Sequence, residues 1–296
     1  MKKAAVINDL SGFGKCSLTA AIPVLSALGV QCCPLATAVL TGQTGYSYYH
    51  CTDLTSMMPA YTDAWTRNEV HFDAIYSGFM TGHTQIDYLL DFLSHFRTTD
   101  TLLLVDPVMG DDGHVYGFFS PELLDGMKEL SRDANLITPN LTEACLLADI
   151  DITKAANYSD SASMLAFAGE TASRLRALAF VDQDVVITGI KCRNDAAPFI
   201  CNITATANGV HESRSPFFDR SFSGTGDLLA SVLCGCRLNG MCTEDAVNLA
   251  GRFLYHSIAD TMQENGVGNA GVNFEKYLIE LIMEGTNYNR ESSCTQ

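Results

Sequence analysis

The segment Gly224-Thr-Gly-Asp227 places two glycines, a threonine and an aspartate directly before an apolar run of helical character. The first N–H groups of a helix have no intrahelical partner, and the helix dipole adds positive potential there. Such a helix start suits a phosphate, or the charge that develops while a phosphoryl group is transferred. Asp227 is badly placed to bind an anion but well placed to accept a proton from an attacking alcohol. The segment therefore predicts a kinase that acts on a hydroxyl group.

A simpler interpretation fits the same residues. Thr225 or Ser223 would cap an ordinary helix, and the helix dipole would favour Asp227 in its first turn. Because short glycine motifs recur by chance, the segment alone does not separate the two interpretations.

Two acidic segments elsewhere in the chain favour the catalytic interpretation. Asp106-Pro-Val-Met-Gly-Asp111 follows a short apolar run, and carboxylates beside nucleotide phosphates hold Mg²⁺ directly or through its waters. A tight turn is the alternative for this segment. Asn140-Leu-Thr-Glu143 matches a capping box, and the same helix start would present Glu143 to metal-bound water.

The elements that must position these residues are short apolar runs alternating with helical patterns. The pattern predicts strands near 4–7, 32–40, 74–76, 102–105, 136–137 and 185–188, a hairpin over 200–213, and C-terminal helices near 225–238, 244–263 and 273–284. Such alternation is typical of an α/β fold with an open, mainly parallel central sheet and helices on both faces. Ligands bind beyond the carboxyl ends of such strands, where the polar clusters fall. We expect one domain over 1–286 and a polar C-terminal tail over 287–296.

The composition narrows the partners. The 296 residues are 47% apolar and 18% charged, with a formal net charge of −16. Nucleic acid and anionic membrane are therefore poor candidate partners, and an acidic phosphate-handling protein is expected to use a divalent metal. The apolar start of the chain is too short for a signal peptide. The 11 cysteines are scattered without metal-ligand spacing, which is typical of reduced thiols in the cytoplasm.

Two glycine-containing segments look like nucleotide motifs but do not fit them. Gly12-Phe-Gly-Lys15 lacks the first glycine and the hydroxyl residue of a P-loop. Gly266-Val-Gly-Asn-Ala-Gly271 follows a helical pattern, whereas a dinucleotide-binding turn follows a strand.

Over nearly its whole length the chain resembles the ribokinase superfamily, and within it the pyridoxal kinases of the vitamin-kinase branch. The resemblance lies in three ordered motifs, Asp106-Pro-Val-Met-Gly-Asp111, Thr138-Pro-Asn-Leu-Thr-Glu143 and Gly224-Thr-Gly-Asp227. It implies ATP-dependent phosphorylation of the 5′-hydroxymethyl group of pyridoxal, pyridoxine or pyridoxamine. It also implies Mg²⁺ and a homodimer, and it leaves open whether a monovalent cation assists.

The resemblance also implies the roles of individual residues. Asp227 would be the catalytic base, and the amides of Gly224, Thr225 and Gly226 would form the anion hole. The implied ATP-binding residues are Asp106, Asp111, Thr138, Asn140, Glu143, Thr188 and Thr225, of which Asp106, Asp111 and Glu143 would also serve the metal. The implied substrate-binding residues are Asp9, Thr44, Phe79 and Asp227.

Asp9 departs from the pattern, because pyridoxal kinases of the common type have serine there. Asp9-Leu-Ser-Gly-Phe-Gly14 instead resembles the corresponding segment of hydroxymethylpyrimidine kinases, which serve thiamine synthesis. Many of those kinases, however, have cysteine where this chain has Asp227. We therefore favour a pyridoxal kinase, with the pyrimidine kinase as the alternative enzyme. A catalytically silent ligand-binding or regulatory protein on the same fold is the alternative of another class.

Overall fold

A nine-stranded sheet forms the centre of the computed structural model, which describes residues 1–154, 158, 160–194, 197–264 and 268–293. The strands in chain order are β1 (Lys3–Ser11), β2 (Gln31–Leu40), β3 (Cys51–Asp53), β4 (Ala74–Ser77), β5 (Leu102–Val105), β6 (Gly110–Asp111), β7 (His114–Val115), β8 (Leu136–Ile137), β9 (Asp184–Arg193), β10 (Pro198–Thr206) and β11 (Gly209–Pro216). The sheet order is β11-β10-β9-β8-β5-β4-β1-β2-β3, and β6 pairs with β7 in a separate small hairpin.

The six central strands, from β9 to β2, run parallel, whereas β3 at one edge and the β10–β11 hairpin at the other are antiparallel. Parallel strands therefore end at one common edge of the sheet. The predicted fold class, an open and mainly parallel sheet, is confirmed.

Helices cover both faces of the sheet. They are α1 (Ser17–Ala27), α2 (Met58–Arg67), α3 (His83–Phe96), α4 (Pro121–Asp133), α5 (Leu141–Leu147), α6 (Ser161–Leu178), α7 (Thr225–Leu238), α8 (Thr243–Gln263) and α9 (Leu278–Ser293). Helices α2 to α6 pack on one face, and α1, α7, α8 and α9 pack on the other. The two faces hold separate apolar cores. None of the described helices is long and apolar enough to cross a membrane.

The apolar run of β5 shows why these strands read as continuous hydrophobic stretches. Leu103 and Val105 point into one core, whereas Leu104 between them points into the other. Successive side chains of a strand face opposite sides, so a strand covered on both faces needs apolar residues throughout. The same requirement leaves the first polar residue, Asp106, just past the strand at the sheet edge.

Several boundaries differ from the sequence-based expectation. Cys51–Asp53 is an exposed edge strand that shows no apolar alternation, so its pattern gives no strand signal. Between β3 and β4 the chain forms a 3₁₀ turn over Thr55–Met57 followed by α2, with Pro59 in the first helical turn. Helix α9 extends to Ser293, beyond the expected end near 284. Residues 294–296 of the expected tail lie outside the described part.

Candidate active site

Helix α7 begins where the Gly224-to-Asp227 segment predicted it would. Gly224 is the N-cap and has left-handed backbone angles, with φ 79° and ψ 0°. A Cβ atom built there would lie 2.0 Å from the carbonyl oxygen of Lys15. Glycine is therefore required twice, once for the positive φ and once for the close approach to the loop after β1. The result is a helix N-terminus, with its free N–H groups, set directly against the carboxyl end of the sheet.

Asp227 lies in the first turn of α7 and is partly buried. Its Oδ1 atom accepts a hydrogen bond from Asn8 Nδ2 at 3.2 Å, and the backbone N–H of Ser17 also donates to the carboxylate. Burial raises the pKa of Asp227 to about 6, and the negative charge of Asp9 acts in the same direction. A carboxylate with this pKa is ionised at neutral pH and basic enough to accept a proton.

Asn8 connects Asp227 to the predicted ring-binding side of the site. Asn8 Oδ1 accepts hydrogen bonds from the backbone N–H groups of Asp9 at 3.0 Å and Phe79 at 2.9 Å. The partly buried ring of Phe79 meets the ring of Phe118 edge-on, with 4.9 Å between centroids. Phe79 therefore contacts Asn8 through its backbone N–H, and Asn8 in turn contacts Asp227. The aromatic surface and the carboxylate are linked through this one side chain.

A second acidic group lies behind Asp227, at the end of β5. Asp106 is 9% exposed and its Oδ1 accepts a hydrogen bond from Thr138 Oγ1 at 2.9 Å. Burial raises the pKa of Asp106 to about 7, with a further contribution from the charge of Asp227. Burial and then the charge of Asp106 raise the pKa of Glu143 well above its ordinary value. The charge of Asp106 is thus unfavourable beside both Asp227 and Glu143.

Glu143 is held by backbone donors at the start of α5. Its two oxygens accept hydrogen bonds from the N–H groups of Met109 at 3.0 Å and Asn140 at 2.9 Å. Asn140 Oδ1 accepts the Glu143 N–H in return, so the predicted capping box is present. Asn140 also donates to the Gly110 carbonyl at 2.7 Å, which ties α5 to β6. The capping and catalytic interpretations of this segment are therefore compatible.

The acidic cluster contains carboxylates of the kind that a hard cation prefers. Within the described ranges no three His, Cys, Asp or Glu side chains are arranged to hold one ion directly. Asp111 is exposed on the β6–β7 hairpin, apart from the buried pair of Asp106 and Glu143. Mg²⁺ commonly keeps several of its waters and binds through one or two carboxylates. Buried, mutually repelling carboxylates fit such a water-mediated Mg²⁺, which would lower their repulsion.

A cleft of about 260 Å³ opens beside this cluster, between the β6–β7 hairpin and the end of β9. It is lined by Asp111, Asp112, Gly113, Asn140, Leu141, Thr142, Met164, Thr188, Gly189, Ile190 and Lys191. Three of the residues predicted to bind ATP are therefore brought together in one cleft. Lys191 Nζ contacts both carboxylate oxygens of Asp112, at 2.8 Å and 2.7 Å, and adds a cation to this lining.

The remaining predicted residues differ in their surroundings. Asp9 is buried beside Asp227, its Oδ2 accepts the Ser11 hydroxyl at 2.9 Å, and burial raises its pKa. The Thr225 hydroxyl donates to the Phe222 carbonyl, so only its N–H is left for an anion. Thr44 is exposed and makes no hydrogen bond to the other predicted residues within the described contacts.

The loop that carries Thr44 is nevertheless anchored. Gln43 Nε2 donates to the Asn269 carbonyl at 3.0 Å, and Asn269 Nδ2 donates to the Gly45 carbonyl at 2.6 Å. The same 268–270 turn accepts the Ser223 N–H just before the anion-binding segment, at 3.0 Å. Residues 268–270 belong to the segment that superficially resembles a dinucleotide motif. Their hydrogen bonds link the loop that carries Thr44 to the residues just before α7.

Sequence reasoning missed Asn8, Phe118 and Lys191 as members of the site. Asn8 carried a signal, since it is a polar residue at the end of an apolar strand. Phe118 and Lys191 carried none, because an aromatic residue after a turn and a lysine in a strand are common in proteins of every class.

The chain is similar to known kinases over most of its length. Residues 14–273 match the family model described as phosphomethylpyrimidine kinase. A Bacteroides thetaiotaomicron protein provisionally assigned as a phosphomethylpyrimidine kinase, crystallised with pyridoxal, is 34% identical with a TM-score of 0.85, covering 95% of each chain. Pyridoxal kinase from Lactobacillus plantarum is 26% identical with a TM-score of 0.85, covering 97% of this chain and 99% of that one. A pyridoxine/pyridoxal/pyridoxamine kinase of Bordetella avium is 31% identical over 64% of this chain and 60% of its own length.

Fold and site together define a ribokinase-like kinase that acts on an alcohol group. The family match covers well over half of the sequence. The chain belongs to the phosphomethylpyrimidine kinase family. The recognition of a vitamin kinase from three short motifs is confirmed.

Replacing Gly224 by alanine is expected to lower kcat by about 10² or more, the usual effect of losing an oxyanion-hole donor. The added Cβ cannot remain 2.0 Å from the Lys15 carbonyl oxygen, so the start of α7 must move. Steady-state kinetics measure the loss. Gly29→Ala is the matched control, because Gly29 has a similar positive φ of 74° but open space around its Cβ position. Equal losses in the two variants would contradict the specific role of Gly224.

Mg²⁺ is expected to raise the melting temperature of the parent protein more than that of Asp106→Asn. Asparagine keeps the acceptor for Thr138 but removes the charge that a cation neutralises. At a concentration ten times its Kd, bound Mg²⁺ stabilises the fold by about 1.4 kcal/mol. Differential scanning fluorimetry with and without Mg²⁺ measures the difference, with exposed Asp100→Asn as control. Equal shifts in parent and Asp106→Asn would exclude this metal position.

Proposed function

We propose that this chain uses ATP to phosphorylate the 5′-hydroxymethyl group of B6 vitamers (pyridoxal, pyridoxine or pyridoxamine), as a step in the salvage of pyridoxal 5′-phosphate. The observation that carries the proposal is the position of Asp227. It lies in the first turn of a glycine-started helix, is held by Asn8, and has a pKa near 6. A base and an anion-binding set of amides are thereby adjacent, as transfer from ATP to an alcohol requires.

The transfer follows from this arrangement. The substrate hydroxyl oxygen attacks the γ-phosphorus of ATP, and its proton passes to the Asp227 carboxylate. A new P–O bond forms to the alcohol while the bond between the γ-phosphorus and the β–γ bridging oxygen breaks, which releases ADP. The N–H groups of Gly224, Thr225 and Gly226 stabilise the charge on the transferred group. Bound Mg²⁺ would supply positive charge to the phosphates near Asp106 and Glu143.

The nucleotide side of the proposal rests on the cleft beside β9. Asp111, Asn140 and Thr188 line it, and Lys191 provides positive charge there. Thr138 supports this side indirectly, because its hydroxyl is donated to Asp106. The cleft and the Asp227 carboxylate lie at the same edge of the sheet, so ATP bound in the cleft can direct its γ-phosphate toward the start of α7.

The vitamer ring is proposed to lie against Phe79 and Phe118, near Asp9. The rings supply an aromatic surface for a pyridine, and their edge-on contact keeps that surface in place. Burial raises the pKa of Asp9, and this carboxyl can hydrogen-bond a ring nitrogen or an exocyclic group. Thr44 is proposed to contact the ring when its anchored loop covers the site.

Hydroxymethylpyrimidine is the second candidate acceptor. The observation that favours it is Asp9, which lies buried at the site and is part of the segment that resembles the pyrimidine kinases. Asp227 favours the B6 vitamers. Pyridoxal kinase relatives support the first candidate, and nothing gives the pyrimidine better support.

We also propose that the protein works as a homodimer in the cytoplasm. Leu10 and Val39 pair across β1 and β2 and are both exposed, at 36% and 42%, beside the short edge strand β3. Exposed apolar residues next to a sheet edge suit a partner subunit. Light scattering of the purified protein tests the dimer, and a monomeric mass would contradict it.

Purified protein is expected to release ADP from Mg-ATP when given pyridoxal, pyridoxine or pyridoxamine. A coupled ADP assay should give kcat/KM values for the B6 vitamers at least about tenfold above that for hydroxymethylpyrimidine, since mispositioned ring polar groups each weaken transition-state binding. The opposite preference would make the thiamine pathway the correct assignment. Vitamer binding without ADP release would support a silent binding protein instead.

Asp227→Asn is expected to lower kcat by about 10² to 10⁴, the usual contribution of a general base, with little change in ADP affinity. In the parent, kcat/KM should fall as the pH drops through about 6, because protonated Asp227 cannot accept the substrate proton. Stopped assays across pH 5 to 9 and calorimetry with ADP measure both effects. Asp100→Asn serves as the control. Parent-like turnover in Asp227→Asn would remove the proposed base.

A further inference from the structure

Asn8 is fully buried within β1, with no exposed surface, and both polar atoms of its amide group are used in hydrogen bonds. Oδ1 accepts from two backbone N–H groups, those of Asp9 and Phe79. Backbone N–H groups only donate, so the atom that faces them must be the amide oxygen. The amide nitrogen must therefore face Asp227, at 3.2 Å from its Oδ1. The orientation of the side chain follows from its partners.

The surrounding backbone leaves Asn8 no alternative position. A Cβ atom at Gly78 would lie 2.4 Å from Asn8 Nδ2 and 2.7 Å from its Cγ. The glycine after β4 therefore makes room for the amide, and the neighbouring residue, Phe79, provides one of its two donors. Asn8 joins residues that are 71 and 219 positions away along the chain.

This contact helps to fix the orientation of the Asp227 carboxylate. Oδ1 accepts from the Asn8 amide, and the Ser17 N–H is a second donor to the same carboxylate. Without Asn8, one of these two hydrogen bonds is lost, and the carboxylate is less restricted about its χ2 angle. A hydrogen bond to the ionised form also keeps a carboxylate easier to ionise than it would be alone.

We propose that Asn8 is a positioning residue for the reaction, which sets the direction of the Asp227 carboxylate relative to the ring platform at Phe79. The inference rests on the proposed function, in which Asp227 accepts the proton of the vitamer hydroxyl. Asn8 acts through Asp227 and does not react with the substrate. No family motif identified in the sequence includes it.

Aspartate at position 8 separates this role from a merely structural one. An aspartate is nearly the same shape and can accept both backbone N–H groups equally well. It cannot donate to ionised Asp227 as the amide does, and its own charge faces the base. If Asn8 has only a structural role, Asn8→Asp should fold and turn over substrate like the parent. If Asn8 positions Asp227, the same variant should change the pKa of Asp227.

The test compares the parent and Asn8→Asp across pH 5 to 9, with pyridoxal and Mg-ATP. In the parent, kcat/KM should fall at low pH as Asp227 becomes protonated, and we call this part of the pH profile the acidic limb. In Asn8→Asp we expect the acidic limb to move to higher pH by about one unit or more, because a like charge in contact makes a carboxylate harder to ionise. At pH 6.5 kcat should fall by about tenfold or more and recover partly as the pH rises. KM for ATP should change little, since the cleft beside β9 is untouched.

The pH limb can be assigned because the new carboxyl at position 8 is the only titratable group near Asp227 that differs between the two proteins. The groups facing it are Asp9, Cys16, Tyr76 and Asp106. Burial raises the pKa of Cys16 to about 12, so this thiol stays neutral over the range measured. Burial raises the pKa of Tyr76 well above its ordinary value, so its hydroxyl stays neutral too. Asp9 and Asp106 are present in both proteins.

Asn135→Asp is the matched control. Asn135 Oδ1 also accepts a backbone N–H, that of Leu103 at 2.9 Å, but it lies at the opposite end of the sheet. Melting temperatures of both variants measure the general effect of a new acid beside the backbone. Only Asn8→Asp should move the acidic limb.

Gly78→Ala provides a second test that adds no charge. Its methyl group must displace the Asn8 amide, so kcat should fall about tenfold or more while ADP affinity, measured by calorimetry, stays near the parent value. An unmoved acidic limb and parent-like kcat in folded Asn8→Asp would overturn the role of Asn8 and leave the proposed function standing. A parent protein that phosphorylates no vitamer would overturn both.

Discussion

The site depends on one close approach, that of the first residues of α7 to the loop after β1. Gly224 has no side chain and a left-handed backbone, so the start of the helix can touch the Lys15 carbonyl. This contact brings Asp227 within hydrogen-bond distance of Asn8, which belongs to one of the central parallel strands of the sheet. The residues proposed as base, anion-binding amides and ring platform are therefore held against the same strands. Any larger residue at position 224 would push the start of α7, with Asp227, away from the loop after β1.

The proposed phosphate site lies in a strongly acidic protein. The formal net charge is −16, and the site itself contains Asp9, Asp106, Glu143 and Asp227. Besides Lys191 in the cleft, backbone N–H groups and a hard cation would supply the positive potential that phosphates need. The acids oppose folding when they ionise. For Asp106, whose pKa rises from 3.8 to about 7, the stability contribution is fully present below pH 3.8 and is lost as the pH rises through about 7. A divalent cation bound at this site would offset this loss.

The proposed function assigns transfer and ring recognition to different residues. Asp227, Asn8 and the first amides of α7 would serve any primary alcohol that reaches them. Phe79, Phe118, Asp9 and the anchored loop of Thr44 would contact the ring. Under this proposal the two roles belong to different elements, which the Asn8 amide joins.

Local patterns were enough to determine the parallel sheet, the start of α7, the capping box at Asn140 and the acids at the strand ends, because each depends on residues close together in the chain. Those patterns did not predict the boundaries of β3 and α9 or the exposed position of Asp111. They also did not predict the hydrogen bonds of Asn269 that connect two loops. Asn8 shows the reason most clearly. Its partner Asp227 is 219 residues away, and their contact exists only because the sheet order places β1 beside β4 and the packing of α7 brings its first turn over both. The sequence by itself determined which groups could do the chemistry, whereas the tertiary structure decided which of them meet, since distance in space is set by strand order and close packing rather than by local periodicity.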